Sequence, residues 1–301
     1  MKPIAKRNSK RNAIAAAAAM SALLASATVS AVSLVGLTDK NQLLTLDSNT
    51  PTVVTTAAIT NLAAGESIIS IDFRNPNSQL YGLGSLGNLY ALNAATGAAT
   101  TFAMGVVPLV TAGVSYEIDW NPSNNNLRVI GNGPSPNSNR AFNFSTLMTA
   151  NNTALSRADG GGALDVVGAA YNNNVNGSVA ANLSLYYIDA ASDALFVNNN
   201  AFAGGVLTKV GDLTLGGSTF GVNDASGFDI AANGEAFVAW RENLYTINLG
   251  TGALSLSGSI GANNNVIGLT TINPVPEPET YALMLAGLAA VGVMVKRRRA
   301  A

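Results

Sequence analysis

The chain contains no cysteine and no histidine. Without thiols there is no disulfide scaffold and no cysteine nucleophile. Without imidazole there is no Ser-His-Asp triad, and metal sites built on thiolate or imidazole are excluded as well. Charge is sparse, at 11 % of residues, with 16 Lys plus Arg against 17 Asp plus Glu. Cations are scarcest in the middle: residues 32–273 hold seven basic and fifteen acidic residues, a net charge of −8. Such a surface repels nucleic acid and anionic lipid, so neither is expected as a partner of the folded part. Glycine clusters such as Gly160-Gly161-Gly162 lack a phosphate-loop lysine and dinucleotide-binding spacing, and they read as tight loops. Lys40 and Lys209 are the only lysines between 32 and 273, and nothing supports a Ser-Lys catalytic pair. What is abundant is apolar: 48 % of 301 residues, with 30 glycines, enough for a sizeable core in one or two domains.

The two ends carry the remaining cations. Lys2, Lys6, Arg7, Lys10 and Arg11 precede a small and apolar run over 14–32. That order predicts a secretory signal peptide over 1–31, cleaved after Ala27 or, preferably, Ala31, where small residues occupy both recognition positions. At the other end, Pro276, Glu277 and Pro278 lead into an uncharged stretch over 281–295 and then into Lys296, Arg297, Arg298 and Arg299. At about 1.5 Å per residue the stretch reaches about 22 Å as a helix, short of a bilayer core of about 30 Å. Basic side chains extend such a helix by snorkelling and hold its end on the cytoplasmic side.

The Pro-Glu-Pro triplet, short hydrophobic helix and terminal arginine cluster resemble the PEP-CTERM sorting tail of Gram-negative bacteria. The resemblance implies that 274–301 is a sorting tail recognised and cut by an exosortase, a membrane transpeptidase-like enzyme, in species that usually make exopolysaccharide. Signal peptidase and an exosortase-type enzyme are then processing partners. The inner membrane is a transient anchor, and the destination is the outer envelope or the extracellular space. Such a tail says where a protein goes, not what it does.

Between the ends the chain repeats. Ile71-Asp72-Phe73, Ile118-Asp119-Trp120, Leu164-Asp165-Val166 and Phe228-Asp229-Ile230 place aspartates 47, 46 and 64 residues apart, the scale of propeller blades. After Asp72, polar turns rich in Asn, Pro and Gly separate short apolar runs over 79–83, 88–92 and 98–102, which predicts a four-stranded antiparallel blade. A second unit spans about 113–149, and a third runs from about 163 to 210. In the fourth, over 227–260, Asn243-Leu244-Tyr245 echoes Asn88-Leu89-Tyr90. Residues 266–272 form a first strand with nothing after it, whereas 34–38, 42–46 and 52–55 are strands lacking a first one. The expected fold is therefore all-β, a propeller-like ring of about five four-stranded blades over 32–273, with one blade closed by strands from both termini. A β-sandwich or open β-helix is the structural rival.

Gly36-Leu37-Thr38 with Asn41-Gln42-Leu43, Ile71-Asp72-Phe73-Arg74 followed by Gln79-Leu80-Tyr81-Gly82-Leu83, and Asn88-Leu89-Tyr90 resemble the bacterial domain of unknown function DUF4394 from about residue 34 to 272. That resemblance implies an architecture and brings no activity, cofactor or catalytic residue with it. The asparagine-rich stretches at 124–126, 172–174 and 198–200 depart from it and read as lengthened loops.

Asp72, Asp119, Asp165 and Asp229 admit two readings. Each caps the exit of its own strand by accepting backbone N–H groups, the stronger reading, or together they converge on one mouth of the channel and attract a hard cation such as Ca²⁺. Glu117 and Asp119 share one side of a strand beside Trp120, which invites a glycoside hydrolase assignment. Two carboxylates on one strand do not, however, flank a glycosidic bond. Trp120 and Trp240 are expected to pack between blades, and of the adjacent Tyr186 and Tyr187 one packs while the other is wet. No residue is assigned to catalysis, a cofactor or a metal. The expected function is that of an exported, non-enzymatic envelope or matrix protein whose loops contact exopolysaccharide. A purely structural surface protein and an Asp/Glu-dependent hydrolase are the alternatives.

Overall fold

Twenty-three strands, all short, account for nearly all regular structure in the computed structural model, which describes residues 31–272 apart from 108–113, 133–137, 200–203, 223–225 and 262–263. Almost all of the expected signal peptide, the sorting motif Pro276-Glu277-Pro278 and the expected helix over 281–295 lie outside the described residues. Among the described residues no helix is long and apolar enough to cross a membrane.

The strands form five separate antiparallel sheets, the blades of a five-bladed β-propeller. The second blade is β4 (Ile68–Arg74), β5 (Gln79–Gly84), β6 (Leu89–Leu92) and β7 (Ala99–Ala103), in order from the axis to the rim. The third is β8 (Tyr116–Trp120), β9 (Asn126–Gly131), β10 (Ser138–Asn143) and β11 (Met148–Asn151). The fourth is β13 (Val166–Tyr171), β14 (Leu185–Asp189), β15 (Ala194–Asn198) and β16 (Val206–Asp212). The fifth is β19 (Ser226–Ile230), β20 (Ala236–Trp240), β21 (Asn243–Ile247) and β22 (Ala253–Ser259). The first blade joins the chain's two ends. Its inner strand, β23 (Val266–Thr271), pairs antiparallel with β1 (Ser33–Thr38), and β2 (Gln42–Asp47) and β3 (Thr50–Ala58) follow outward. The complementary half-blades of the sequence thus meet as expected.

Sequence explains the radial order. The inner strands β8 and β19 are buried at every position, because neighbouring blades cover both their faces, and they read as mainly apolar runs interrupted by Glu117 and Asp119 in β8 and by Ser226 and Asp229 in β19. Rim strands such as β22, Ala-Leu-Ser-Leu-Ser-Gly-Ser, are largely exposed and correspondingly polar. The hydrophobic core is divided into five clusters, each at one junction between blades. Val35, Leu37 and Leu43 of the first blade pack with Ile71, Leu80 and Tyr90 of the second. Val167 and Ile188 of the fourth pack with Phe228 and Val238 of the fifth. No blade could bury its two faces alone, so the ring folds as a unit.

Short linker strands add a feature beyond four strands per blade. β12 (Ser156–Arg157) runs parallel to β16, and β17 (Thr214–Leu215), itself paired with β18 (Ser218–Thr219), runs parallel to β22. Thr60 makes a parallel bridge to Ala98 beside β7. Each is chain entering a blade, laid along that blade's rim strand and covering part of an edge that would otherwise be open.

The carboxylates of the propeller axis

Five inner strands, β4, β8, β13, β19 and β23, surround the axis in that cyclic order. Period-two alternation along a strand sends every second side chain toward the following blade. Ser70 and Asp72 on β4 are two such positions. Ser70 Oγ accepts the Ile118 N–H at 3.1 Å, and Asp72 Oδ2 accepts the Trp120 N–H at 2.6 Å, both from β8. One blade further, Asp119 Oδ2 accepts the Tyr171 N–H of β13 at 3.2 Å. Asp229 Oδ2 accepts both the N–H and the hydroxyl of Thr271 on β23, at 2.5 and 2.9 Å. Thr270 makes the link from β23 back to β4: its hydroxyl donates to Asp72 Oδ1 at 2.8 Å and accepts the Phe73 N–H at 3.2 Å.

The aspartates therefore bridge blades rather than only fixing their own strand exits. The expected local cap is present at two of them as well: Phe73 N–H and Ile230 N–H donate to Asp72 Oδ1 and Asp229 Oδ1 at 2.7 and 2.6 Å. Each such hydrogen bond contributes about 0.5–1.5 kcal/mol net, so together the aspartates fasten one inner strand to the next.

Asp165 is a correction to the expected repeat. The donors Phe73, Trp120, Tyr171, Ile230 and Thr271 occupy one register, and the residues before them are Asp72, Asp119, Ala170, Asp229 and Thr270. In the fourth blade the position thus belongs to Ala170, fully buried and without a polar group. Asp165 lies before the start of β13, at the strand's other end. There its N–H donates to Asp189 Oδ1 at 2.6 Å and its Oδ1 accepts from Asn132 Nδ2.

The remaining three carboxylates converge. One oxygen each from Asp72, Asp119 and Asp229 lies within 4.8 Å of the others, and all three residues are buried. Burial pushes Asp72 and Asp119 well above the usual carboxylate range, and the neighbouring negative charges push them further. Burial also raises Asp229, to about 6. Glu117, buried beside the cluster with Ser70 Oγ 3.5 Å from its Oε2, is raised by burial too. The positive charge of Arg128 acts the other way on Asp119, and its Nε and Nη1 donate to Tyr171 Oη and Asn139 Oδ1.

A polar roof covers this end of the axis. Asn174 is 3 % exposed; its Oδ1 accepts from Asn75 Nδ2 of the second blade and its Nδ2 donates to the Ile230 carbonyl of the fifth at 3.3 Å. An asparagine expected in a lengthened loop is in fact a tie across the mouth. Nothing in the sequence distinguishes it from its exposed neighbour Asn173.

Trp120 is 1 % exposed and packs edge-on against Tyr81 and Phe144, between the second and third blades, so its face is closed to a sugar. Trp240 packs against Phe220 at 5.0 Å. Tyr187 is buried and Tyr186 half-buried, the division expected of the pair.

Architecture and axis together define a closed five-bladed β-propeller whose blades are fastened by inner-strand carboxylates. The chain belongs to the family described as domain of unknown function DUF4394, whose profile matches residues 42–270. A PEP-CTERM protein-sorting motif matches residues 274–299, which implies an exported surface protein processed by an exosortase. No curated protein matches the chain. Among solved structures, TolB from Acinetobacter baumannii is 11 % identical with a TM-score of 0.46, covering 91 % of this chain and 75 % of its own. The nidogen/laminin complex is 12 % identical with a TM-score of 0.44, covering 80 % and 84 %. The major Malassezia sympodialis allergen Mala s 1 is 11 % identical with a TM-score of 0.43, covering 73 % of each chain. Similarity at this level assigns no function.

Proposed function

We propose that this is a non-enzymatic envelope protein whose propeller, once exported and released from its sorting tail, presents loops that contact neutral exopolysaccharide. The observation that carries this reading is the placement of asparagine. The hairpins joining the first and second strands of blades two to five carry Asn77, Asn124, Asn173 and Asn233, all exposed. Inner strands of a propeller run in one direction, so these four hairpins share a face. Each amide makes a bond within its own hairpin, at Oδ1 of Asn77, Asn124 and Asn233 and at Nδ2 of Asn173, and the second lone pair and second N–H of a side-chain amide suit sugar hydroxyls. The net charge of −8 over 32–273 disfavours an anionic polymer unless cations bridge it. Before processing, the stretch over 281–295 is the transient anchor in the inner membrane.

Retention on exopolysaccharide from the producing strain tests the reading. The protein should be held on the neutral fraction, and simultaneous replacement of Asn77, Asn124, Asn173 and Asn233 by alanine should weaken retention severalfold. No retention at any salt or calcium concentration overturns the sugar-contact reading. Turnover of a glycoside panel that is abolished by Glu117→Gln would overturn the non-enzymatic one.

A further inference from the structure

The carboxylates of the axis hold more acceptor capacity than the protein's donors use. Each carboxylate oxygen has two lone pairs. On Asp72, Oδ1 receives Phe73 N–H and the Thr270 hydroxyl, and Oδ2 receives only Trp120 N–H. On Asp229, Oδ2 receives two donors from Thr271 and Oδ1 receives Ile230 N–H. Asp119 is the least satisfied. Its Oδ2 receives Tyr171 N–H, while its Oδ1 is buried with no hydrogen-bond partner, on a residue only 3 % exposed. An unpartnered buried carboxylate oxygen is costly, and its presence inside a cluster of three carboxylates compounds the cost.

We propose that Asp72, Asp119 and Asp229 bind one divalent, oxygen-seeking cation on the propeller axis, with Ca²⁺ the best fit. The donor set is oxygen only, which selects hard cations and excludes those preferring thiolate or imidazole. Two ligands on opposite sides of one Ca²⁺, each at 2.3–2.6 Å, lie up to about 5 Å apart, and the three oxygens fall within 4.8 Å of one another. Mg²⁺ dehydrates reluctantly and usually keeps several waters in a strict octahedron, which suits a buried set of three carboxylates less well. The side chains come from β4, β8 and β19, in three blades, so the ion would join strands remote in sequence and reinforce the fastening that their N–H acceptance begins. Asn174 above the mouth would slow its exchange with solvent.

Elemental analysis of the full chain as purified, followed by Ca²⁺ and Mg²⁺ titration of the chelator-treated chain by calorimetry and thermal melting, tests the site. About one equivalent of calcium is expected, either retained through purification or taken up saturably after chelation with a rise in melting temperature. Asp119→Asn keeps an acceptor for Tyr171 N–H and should bind at least tenfold more weakly; Asp229→Asn serves as a second variant should the first fail to fold. Absence of stoichiometric divalent metal in the purified chain, together with no saturable heat and no melting shift after chelation, overturns the proposal and leaves protons as the cluster's neutralising charge. Uptake unchanged in both variants also overturns it, because the ion would then sit elsewhere.

Discussion

A buried carboxylate on this axis has two opposing environments. The backbone N–H of the next blade favours its charge, whereas desolvation and two neighbouring carboxylates oppose it. For Asp229 the outcome is a value of about 6, raised from 3.8 by burial; Asp72, Asp119 and Glu117 move in the same direction, each chiefly through burial. The folded chain therefore binds more protons than the unfolded chain between roughly pH 4 and 6, and stability falls as pH rises through that window. Asp229 alone accounts for about 3 kcal/mol at about 1.4 kcal/mol per unit. The melting temperature of chelator-treated protein should decline from pH 4 to pH 6, opposite to the usual salt-bridged aspartate. Differential scanning calorimetry across those values checks this; a flat or rising melting temperature contradicts it.

Between strands the same economy appears as close backbone approach. The linkers that lie along rim strands need glycine where they touch. A Cβ at Gly97 would stand 2.1 Å from the Ala58 carbonyl oxygen, one at Gly205 2.2 Å from that of Ala154, and one at Gly252 2.7 Å from that of Asp212. Gly97 also has φ +73°, where a side chain is strained in its own right. Gly97→Ala should therefore cost about 2–3 kcal/mol, lowering the denaturant midpoint and exposing the rim of the second blade to protease. Gly105→Ala, at φ +64° with open space around it, separates strain from collision and should cost about 1 kcal/mol. The blades themselves were legible because most of them repeat a mainly apolar inner strand followed by a polar turn rich in Asn, Pro or Gly. The closing pair was legible because each end holds the strands the other lacks. The inter-blade aspartates were only half legible: alternation gives the face on which Asp72 lies, not the N–H it finds. Asp165 misled because it sits in an apolar run five residues before Ala170, the true counterpart. Two-residue linker strands such as β12 leave no periodic trace at all.

For the whole molecule, the decisive feature is where the ring ends relative to where the chain is processed. The closing strand β23 ends at Thr271 and the sorting motif begins at residue 274, so cleavage at the motif removes nothing that the ring needs. Shortening by a few more residues is another matter. β23 carries the buried Val266 and Leu269, the Thr271 groups that satisfy Asp229, and the Thr270 hydroxyl between Phe73 and Asp72. Losing it would uncover the inner edge of β1 and leave Asp229 without its inter-blade donors, a combined cost comparable to the 5–15 kcal/mol that holds a typical domain together. A chain ending at residue 272 should accordingly melt as one cooperative transition at the temperature of the full-length protein. A chain ending at residue 265 should lose that transition and aggregate through its unpaired edges. Comparing the two by calorimetry and light scattering distinguishes a ring that depends on its closing strand from five blades that stand without it; equal melting of both chains would contradict closure as the source of stability.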